Sequence, residues 1–170
     1  LSWAPGPVAD STFTEAEMAQ ITASASPEGV KKAVDKFAPG WTISHCGTDM
    51  DPGLRAEEHG RKNVLVTHPL DKDTACVLSR KVEIPAGKKT TLKLTVGHHP
   101  DGDWDLLVKA DMRELLRKTV GKSTAAGGWL DVSVDLSEYA GKTVLLELVN
   151  KPTGWQWEAG YWAGIRLESQ

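Results

Sequence analysis

Tryptophan is the residue type that stands out in this sequence, with seven copies against two phenylalanines and two tyrosines. Two of them, Trp155 and Trp157, lie in a short polar segment together with Gln156 and Glu158. A sugar ring has flat apolar C–H faces and a rim of hydroxyls, so its binding calls for exposed aromatic rings beside hydrogen-bonding groups. We therefore predict that these four residues bind a ligand.

The local backbone decides whether these four side chains can act together. In a β-strand, Trp155 and Trp157 would point to one face of the sheet, whereas Gln156 and Glu158 would point to the other. All four can join one site only if a loop interrupts this alternation. Gly154 makes such a loop possible, because glycine tolerates backbone angles that other residues avoid.

A second polar stretch, residues 98–105, lies where one predicted strand turns into the next. Three interpretations stay open: a tight hairpin with solvated aspartates, a loop that faces the ligand, and a cation site. In the second interpretation, His98, His99, Asp103 and Trp104 bind the ligand. The cation site is the weakest of the three, because adjacent histidines in a strand point to opposite faces.

Two acidic turns raise the question of calcium. The alternating aspartates of residues 101–105 resemble the start of a calcium loop, but Leu106 and Met112 replace the glycine and the glutamate that such a loop requires. Asp49 and Asp51 form the other turn and could supply oxygen ligands to a structural calcium. The alternative is a turn in which each carboxylate accepts a local backbone N–H. We expect no required cofactor, and a structural calcium at Asp49 and Asp51 as an option.

The two cysteines, Cys46 and Cys76, allow one disulfide. It would close a loop of about 30 residues and stabilise the fold by roughly 3.5 kcal/mol in the chain-entropy model. The alternative is a pair of small buried thiols in a reducing compartment. There is no CxxC motif, which disfavours structural zinc and thioredoxin-like chemistry.

Sequence motifs for catalysis are missing. The chain has no GxSxG elbow, no HExxH and no phosphate-binding GxxxxGK[ST] loop. His45 precedes Cys46 directly, but adjacency in sequence is poor evidence for a catalytic dyad. A carboxylate pair for glycoside cleavage stays open, with Glu158 as the candidate acid. We predict a protein that is not an enzyme, with a metal-dependent jelly-roll enzyme or a hydrolase that uses His98 or His99 as the alternative.

Hydrophobic periodicity divides the chain into a helical beginning and a long β region. Capping signals at Thr14 and at Ser26 predict two short helices, near residues 15–21 and from Pro27 to about Phe37. Residues 41–62 are rich in turn formers and are predicted to be mostly loop. From there on the period is two, which predicts eight strands at 64–68, 76–84, 91–96, 104–110, 114–120, 129–136, 143–149 and 161–167.

Many short strands separated by turn residues are typical of a β-sandwich or jelly roll. We therefore predict a mainly β protein, an antiparallel sandwich with two short N-terminal helices. Residues 1–62 form a helical and loop extension that packs on the sandwich, and residues 63–170 form the sandwich itself, as one structural unit. Trp129 and Trp162 are assigned to packing, because a tryptophan in a strand is commonly half-buried.

Composition limits the classes of partner. The formal net charge is −3, and the lysines and arginines are scattered, so no basic surface for nucleic acid or anionic lipid is expected. No apolar run approaches the ~18 residues that a membrane span needs. The chain starts at Leu1 without a methionine, which suggests a removed leader or a segment of a longer protein.

From Cys76 onward the chain resembles the galactose-binding-like jelly-roll modules of secreted bacterial carbohydrate-active and other multidomain proteins. The similarity is carried by a strand that ends in Asp135-Leu136-Ser137, a short excursion with Tyr139 and Gly141, and a returning strand at 144–148. It also includes the stretch from Trp155 to Trp162 before the last strand. The resemblance implies a sandwich that binds ligands at loops on one rim, in many cases with a structural calcium, and that has no catalytic activity.

The sequence thus predicts a non-catalytic binding module, carbohydrate-directed and part of a larger protein that is secreted, periplasmic or at the cell surface. Its expected partners are a carbohydrate or another extracellular ligand and the neighbouring domains of the parent protein. A purely structural or interaction domain, in which the tryptophans serve only packing, is the further alternative.

Overall fold

The computed structural model describes residues 26–170 and contains one α-helix, α1 (Pro27–Phe37). The helix begins where predicted, because the Ser26 hydroxyl accepts a hydrogen bond from the backbone N–H of Gly29 at 3.1 Å and proline occupies the first position. Its apolar residues Val30, Val34 and Phe37 are buried against the strands Thr42–Ser44, Gly53–Glu58 and Arg61–Thr67. The helix predicted near residues 15–21 lies outside the described residues.

In residues 26–170, ten strands form two antiparallel sheets of five strands each, which confirms the predicted sandwich. The first sheet has the order β1 (Thr42–Ser44), β4 (Cys76–Glu83), β9 (Thr143–Lys151), β6 (Trp104–Ala110) and β7 (Arg113–Val120). The second has the order β2 (Gly53–Glu58), β3 (Arg61–Thr67), β10 (Gly160–Ser169), β5 (Thr90–His98) and β8 (Trp129–Asp135).

The core lies between the two sheets and follows the alternation of the sequence. In β5, Leu92, Leu94 and Val96 are buried, while the residues between them are partly exposed. Trp104 of the first sheet and Trp162 of the second meet in the core, with ring centroids 5.3 Å apart and planes at 48°. Two large indoles in contact across the layers keep the sheets together by apolar burial.

The interpretation of residues 41–62 as mostly loop was wrong. They contain β1 and β2, which pair with β4 and β3, so the sandwich strands start at Thr42. Neither strand offers a clear alternation, since β1 has three residues and β2 has only Leu54 as a buried apolar side chain beyond its first residue.

Several loops gather at one end of the sandwich, and we call four of them the rim loops: residues 68–75, 99–103, 121–128 and 152–159. The strand register places them together, because Gly160 pairs with both Thr67 and His98. Trp104 pairs with Val120 at the same end. Within residues 26–170, no helix is both long and apolar enough to cross a membrane.

Candidate functional site

A buried polar network fixes the base of the rim loop between β9 and β10. The hydroxyl of Thr67 accepts a hydrogen bond from Trp162 Nε1 at 2.9 Å and meets the side-chain amide of Asn150 at 3.0 Å. In the amide orientation that satisfies all partners, Asn150 accepts from the backbone N–H of Gly160 and donates to the backbone carbonyl of Glu158. Both ends of the loop are therefore held on the core, as buried polar groups require.

The loop itself breaks the strand alternation, as a shared site for its side chains requires. Residues 152–159 form no strand, and the break falls at Trp157, whose φ is +58°. Gly154, where we expected the break, has no positive φ. A bulky residue in the left-handed region is strained by about 1–3 kcal/mol and persists only where its surroundings hold it.

Trp157 is held by residues of the facing loop. Its indole stacks on the imidazole of His99, with centroids 4.4 Å apart and planes at 13°. A Cβ atom added to Gly102 would collide with the backbone oxygen of Trp157, so only glycine lets the two loops approach this closely. One face of the Trp157 ring is thus covered, yet the residue stays 45% exposed.

Trp155 presents the second exposed ring. It is 42% exposed, and one side contacts His68, with centroids 5.2 Å apart and an edge-on angle of 78°. His68 is itself buried and points Nδ1 at the carbonyl oxygen of Pro69, 2.8 Å away. In the described part of the chain, Trp155 and Trp157 are the only exposed tryptophans.

Thr153 clamps the two rim loops together through two carboxylates. Its hydroxyl donates to Asp103 on the facing loop, and its backbone N–H donates to Glu158 at 2.6 Å. The hydroxyl also lies 3.2 Å from the same Glu158 oxygen. The acidic groups therefore serve to order the loops on which the tryptophans stand.

A polar cleft of about 440 Å³ lies between three rim loops, residues 99–103, 121–128 and 152–159. Asp101, Asp103, Lys122, Ser123 and Gln156 line it. Carboxylate, ammonium, hydroxyl and amide groups together can both donate and accept hydrogen bonds, which suits a ligand rich in hydroxyls.

The structure brings the two predicted segments together but buries three of their residues. Trp104, His98 and Glu158 lie beneath the surface, and their expected role as groups that touch ligand stays a prediction. Trp104 donates to the carbonyl of Gly97, and His98 Nδ1 lies 2.9 Å from the carbonyl oxygen of Gly102. These side chains support the loops, whereas His99, Asp103, Trp155, Gln156 and Trp157 face the surface.

The acidic turn at Asp49 and Asp51 is exposed, and its backbone carbonyls already have a cationic partner. Arg55 donates to the carbonyl oxygens of Met50 and Asp51 at 3.0 and 2.6 Å. Among residues 26–170, no three or more His, Cys, Asp or Glu side chains cluster as a metal ion would require. Calcium binding at this turn stays a prediction.

Cys46 and Cys76 are unbonded thiols in this structure, with their side chains in contact. The contact lowers the pKa of Cys46, because the Cys76 thiol can donate a hydrogen bond to the Cys46 thiolate. Burial in the core raises the pKa of Cys76. The fold thus places the only two cysteines of the chain side by side, and their disulfide stays a prediction.

Sequence reasoning missed three contributors to the rim. His68 and Thr153 are fixed by distant partners, and Lys122 enters from a loop about twenty residues past the histidine pair. Only for Thr153 did the sequence hold a signal, since a hydroxyl residue directly before Gly154 in a polar turn commonly makes side-chain hydrogen bonds that order the turn.

The fold and the rim define a class: a jelly-roll sandwich with ligand-sized clefts and exposed aromatic rings at one end. No protein-family model matches the sequence, and none of the curated proteins matches it. The comparison with solved structures does give matches, and they confirm the carbohydrate-binding-module-like jelly roll that the sequence resemblance implied, at the level of fold.

The chain is similar to the CBM22-1 xylan-binding domain of Xyn10C from Paenibacillus barcinonensis, with a TM-score of 0.54 and 14% identity over 77% of this chain and 86% of that one. It is also similar to a cyclase from Fischerella sp. TAU, with a TM-score of 0.50 and 14% identity over 76% and 74%. The same fold thus occurs in a binding domain and in an enzyme, so the function must be argued from the site.

Proposed function

We propose that this protein is a non-catalytic carbohydrate-binding module whose ligand lies on the rim loops. The observation that carries the proposal is the pair of exposed indoles, Trp155 and Trp157, each braced on one side by a histidine. Exposed aromatic rings lose solvent contact at little entropic cost when they are already fixed, so they bind the apolar face of a sugar ring efficiently.

The polar cleft beside the rings supplies the second half of the recognition. Gln156 and Lys122 can donate to sugar hydroxyls, and Asp101 can accept from them. The xylan-binding domain of similar fold supports a polysaccharide ligand. A module of this kind acts outside the cytoplasm and directs neighbouring domains of a parent protein to their substrate, with a structural calcium as an option at Asp49 and Asp51.

Affinity electrophoresis tests the proposal with several polysaccharides in parallel. Wild-type protein runs on native gels that contain xylan, galactan, mannan or pectin, beside Trp155→Ala, Trp157→Ala and the control Met112→Ala. Met112 is an exposed apolar residue in the turn between β6 and β7, away from the rim. We expect at least one polysaccharide to retard the wild type and Met112→Ala, with less retardation of both tryptophan variants. Wild-type mobility that no polysaccharide changes would remove the carbohydrate from the proposal.

A further inference from the structure

The hairpin of β2 and β3 crosses the outer face of the second sheet. Pairing of β3 with β10 ends at Leu65 and Trp162, and the hairpin tip continues beyond it. His59 in that tip stacks on Tyr161 at 5.5 Å, and its backbone carbonyl accepts a hydrogen bond from Trp129 Nε1 at 3.0 Å. Because β10 and β5 separate β3 from β8 within the sheet, the tip can reach Trp129 only across the outer face.

A β-bulge in β10 leaves part of the outer face of the sheet uncovered beside this hairpin. Trp162 and Ile165 both point into the core, so the two residues between them, Ala163 and Gly164, face outward at the register shift. Gly164 has no side chain to fill the space. A cleft of about 390 Å³ results, bounded by the hairpin on one side and by β5 and β8 on the other.

Three cations from three strands line this cleft: Arg61 of β3, Lys93 of β5 and Arg166 of β10. Lys93 and Arg166 share one carboxylate, that of Glu168, at 3.1 and 3.5 Å. The carboxylate in the lining, Asp131, accepts from Thr95 at 2.6 Å.

Arg61 differs from the other two cations. Its guanidinium lies 5.8 Å from the ring centroid of Trp129, and within residues 26–170 it has no carboxylate partner. The aromatic ring holds the planar group in place while its N–H donors stay available, and a guanidinium of this kind binds a carboxylate or sulfate with two parallel hydrogen bonds.

We propose that this cleft is a second binding site, which takes the anionic group of an acidic saccharide, a carboxylate or a sulfate ester. Arg61 provides the two-pronged contact, and Lys93 and Arg166 add positive charge. That the anion is carried by a saccharide rests on the proposed function; that the cleft binds an oxyanion does not. The hydroxyl of Ser133 at the cleft wall can accept or donate to a neighbouring sugar hydroxyl.

Calorimetry with three galactose-based tetrasaccharides tests the proposal: tetragalacturonate for the carboxylate, a sulfated galactan tetrasaccharide for the ester and galactotetraose as the neutral probe. The variants are Arg61→Gln and Arg61→Lys, with Arg117→Gln as the control. Arg117 is an exposed arginine of β7 in the other sheet and pairs with Glu114 at 3.1 Å. We expect at least one acidic probe to bind about tenfold more weakly to Arg61→Gln than to the wild type. The affinity of Arg61→Lys should lie between these two, because lysine keeps the charge but lacks the planar guanidinium with its two parallel N–H donors. Unchanged affinity of Arg61→Gln for both acidic probes would overturn the site.

Amide chemical shifts of the same protein separate this proposal from the carbohydrate function. Sodium galacturonate and sodium sulfate are titrated, and the amides of Thr95, Ser133 and Gly164 are followed. Shifts there that Arg61→Gln abolishes support the oxyanion site, even where no polysaccharide binds the rim. A protein that binds neutral polysaccharide at the rim, but shows no shifts at these amides with either salt, would contradict the second site and leave the function intact.

Discussion

At the scale of single residues, the proposed function depends on two indoles that stay exposed, whereas the other tryptophans of residues 26–170 are buried or half-buried. Trp41, Trp104 and Trp162 are fully buried, and Trp129 packs half-buried on the outer face with Tyr161 and Val66. The assignment of Trp162 to packing is confirmed. The sequence could separate these groups in part, because a loop signal surrounded Trp155 and Trp157, whereas Trp162 lay within an alternating strand.

The histidines that brace the rings could not be predicted from the sequence. His99 contacts Trp157 across 58 residues and His68 contacts Trp155 across 87. Such pairs depend on the register of β3, β10 and β5, which hydrophobic periodicity does not reveal. The sequence did single out both segments, residues 98–105 and 155–158, as candidates for ligand binding, and the structure brings them into contact.

The threonine clamp yields a residue-scale prediction. Thr153→Val keeps the shape of the side chain but leaves Asp103 without its donor, so we expect the free energy of unfolding to fall by about 1 kcal/mol. Saccharide binding weakens as well, because the loop that carries the tryptophans loosens. Chemical denaturation and calorimetry measure the two effects.

Thr90→Val is the matched control for this change. It removes the hydrogen bond between the hydroxyls of Thr90 and Ser169, which lie 2.9 Å apart at the end of β5 opposite to the rim loops. Affinity is expected to stay at the wild-type value there. If both valine variants bind saccharide like the wild type, the clamp has no part in the site.

The cysteine pair yields a second prediction at this scale. Oxidation is expected to join Cys46 to Cys76 and to raise the free energy of unfolding by about 3.5 kcal/mol. Mass spectrometry of alkylated peptides and denaturation with and without dithiothreitol measure it. A reduced and an oxidised sample of equal stability would speak against a stabilising disulfide.

The pH dependence of alkylation follows from the shifted pKa values. Because the pKa of Cys46 is lowered and only the thiolate reacts, iodoacetamide should modify Cys46 of the reduced protein before Cys76. The rate should fall as the pH drops through the pKa of Cys46, at a lower pH than for an ordinary cysteine. Modification of Cys76 first would show that burial does not protect it.

At the scale of elements, the strands were predictable where apolar and polar residues alternate, because this alternation distinguishes the buried face of a strand from its exposed face. The eight predicted strands correspond to β3 through β10, with ends shifted by a few residues. β1 and β2 escaped prediction because β1 is too short for a pattern and β2 has a single buried apolar side chain, that of Leu54. Pairing with β4 and β3, rather than local preference, makes these residues extended.

Contact between two rim loops gives the prediction at this scale. Gly102→Ala forces a Cβ into the backbone of Trp157 and must separate the loops, so we expect weaker saccharide binding and greater quenching of tryptophan fluorescence by iodide. Gly154→Ala is the control, since nothing lies within 4 Å of a Cβ added there. Equal quenching and affinity in the two variants would mean that the loops need not touch.

At the scale of the whole molecule, the sandwich was predictable from the composition and the spacing of turn residues, whereas its function was not. Turn residues at regular spacing and alternating strands indicate two packed sheets, and the structure has them. The proposed function depends on a few loop residues at one end, where the chain departs from regular pairing. The same fold occurs in a xylan-binding domain and in a cyclase, so the fold alone does not decide the function.

The two alternatives to a binding module are a purely structural domain and a hydrolase, and each would require a different arrangement of the rim residues. A purely structural domain has no use for two indoles that are more than 40% exposed, and apolar rings of this size cost free energy in water unless a partner covers them. A hydrolase that used Glu158 as its acid would need that carboxyl in reach of substrate, whereas it is buried and bonded to Thr153. A saccharide that rests on the rings satisfies the geometry without either difficulty.

Calorimetric titration of oligosaccharides from the retarding polysaccharide into wild type, Trp157→Ala and Met112→Ala is the most direct test of the rim as a carbohydrate site. We predict binding by the wild type and Met112→Ala, and an affinity at least about tenfold lower for Trp157→Ala, a loss of roughly 1.4 kcal/mol. Equal affinity of Trp157→Ala and the wild type, or no heat from the wild type at millimolar ligand, would contradict the rim as a carbohydrate site.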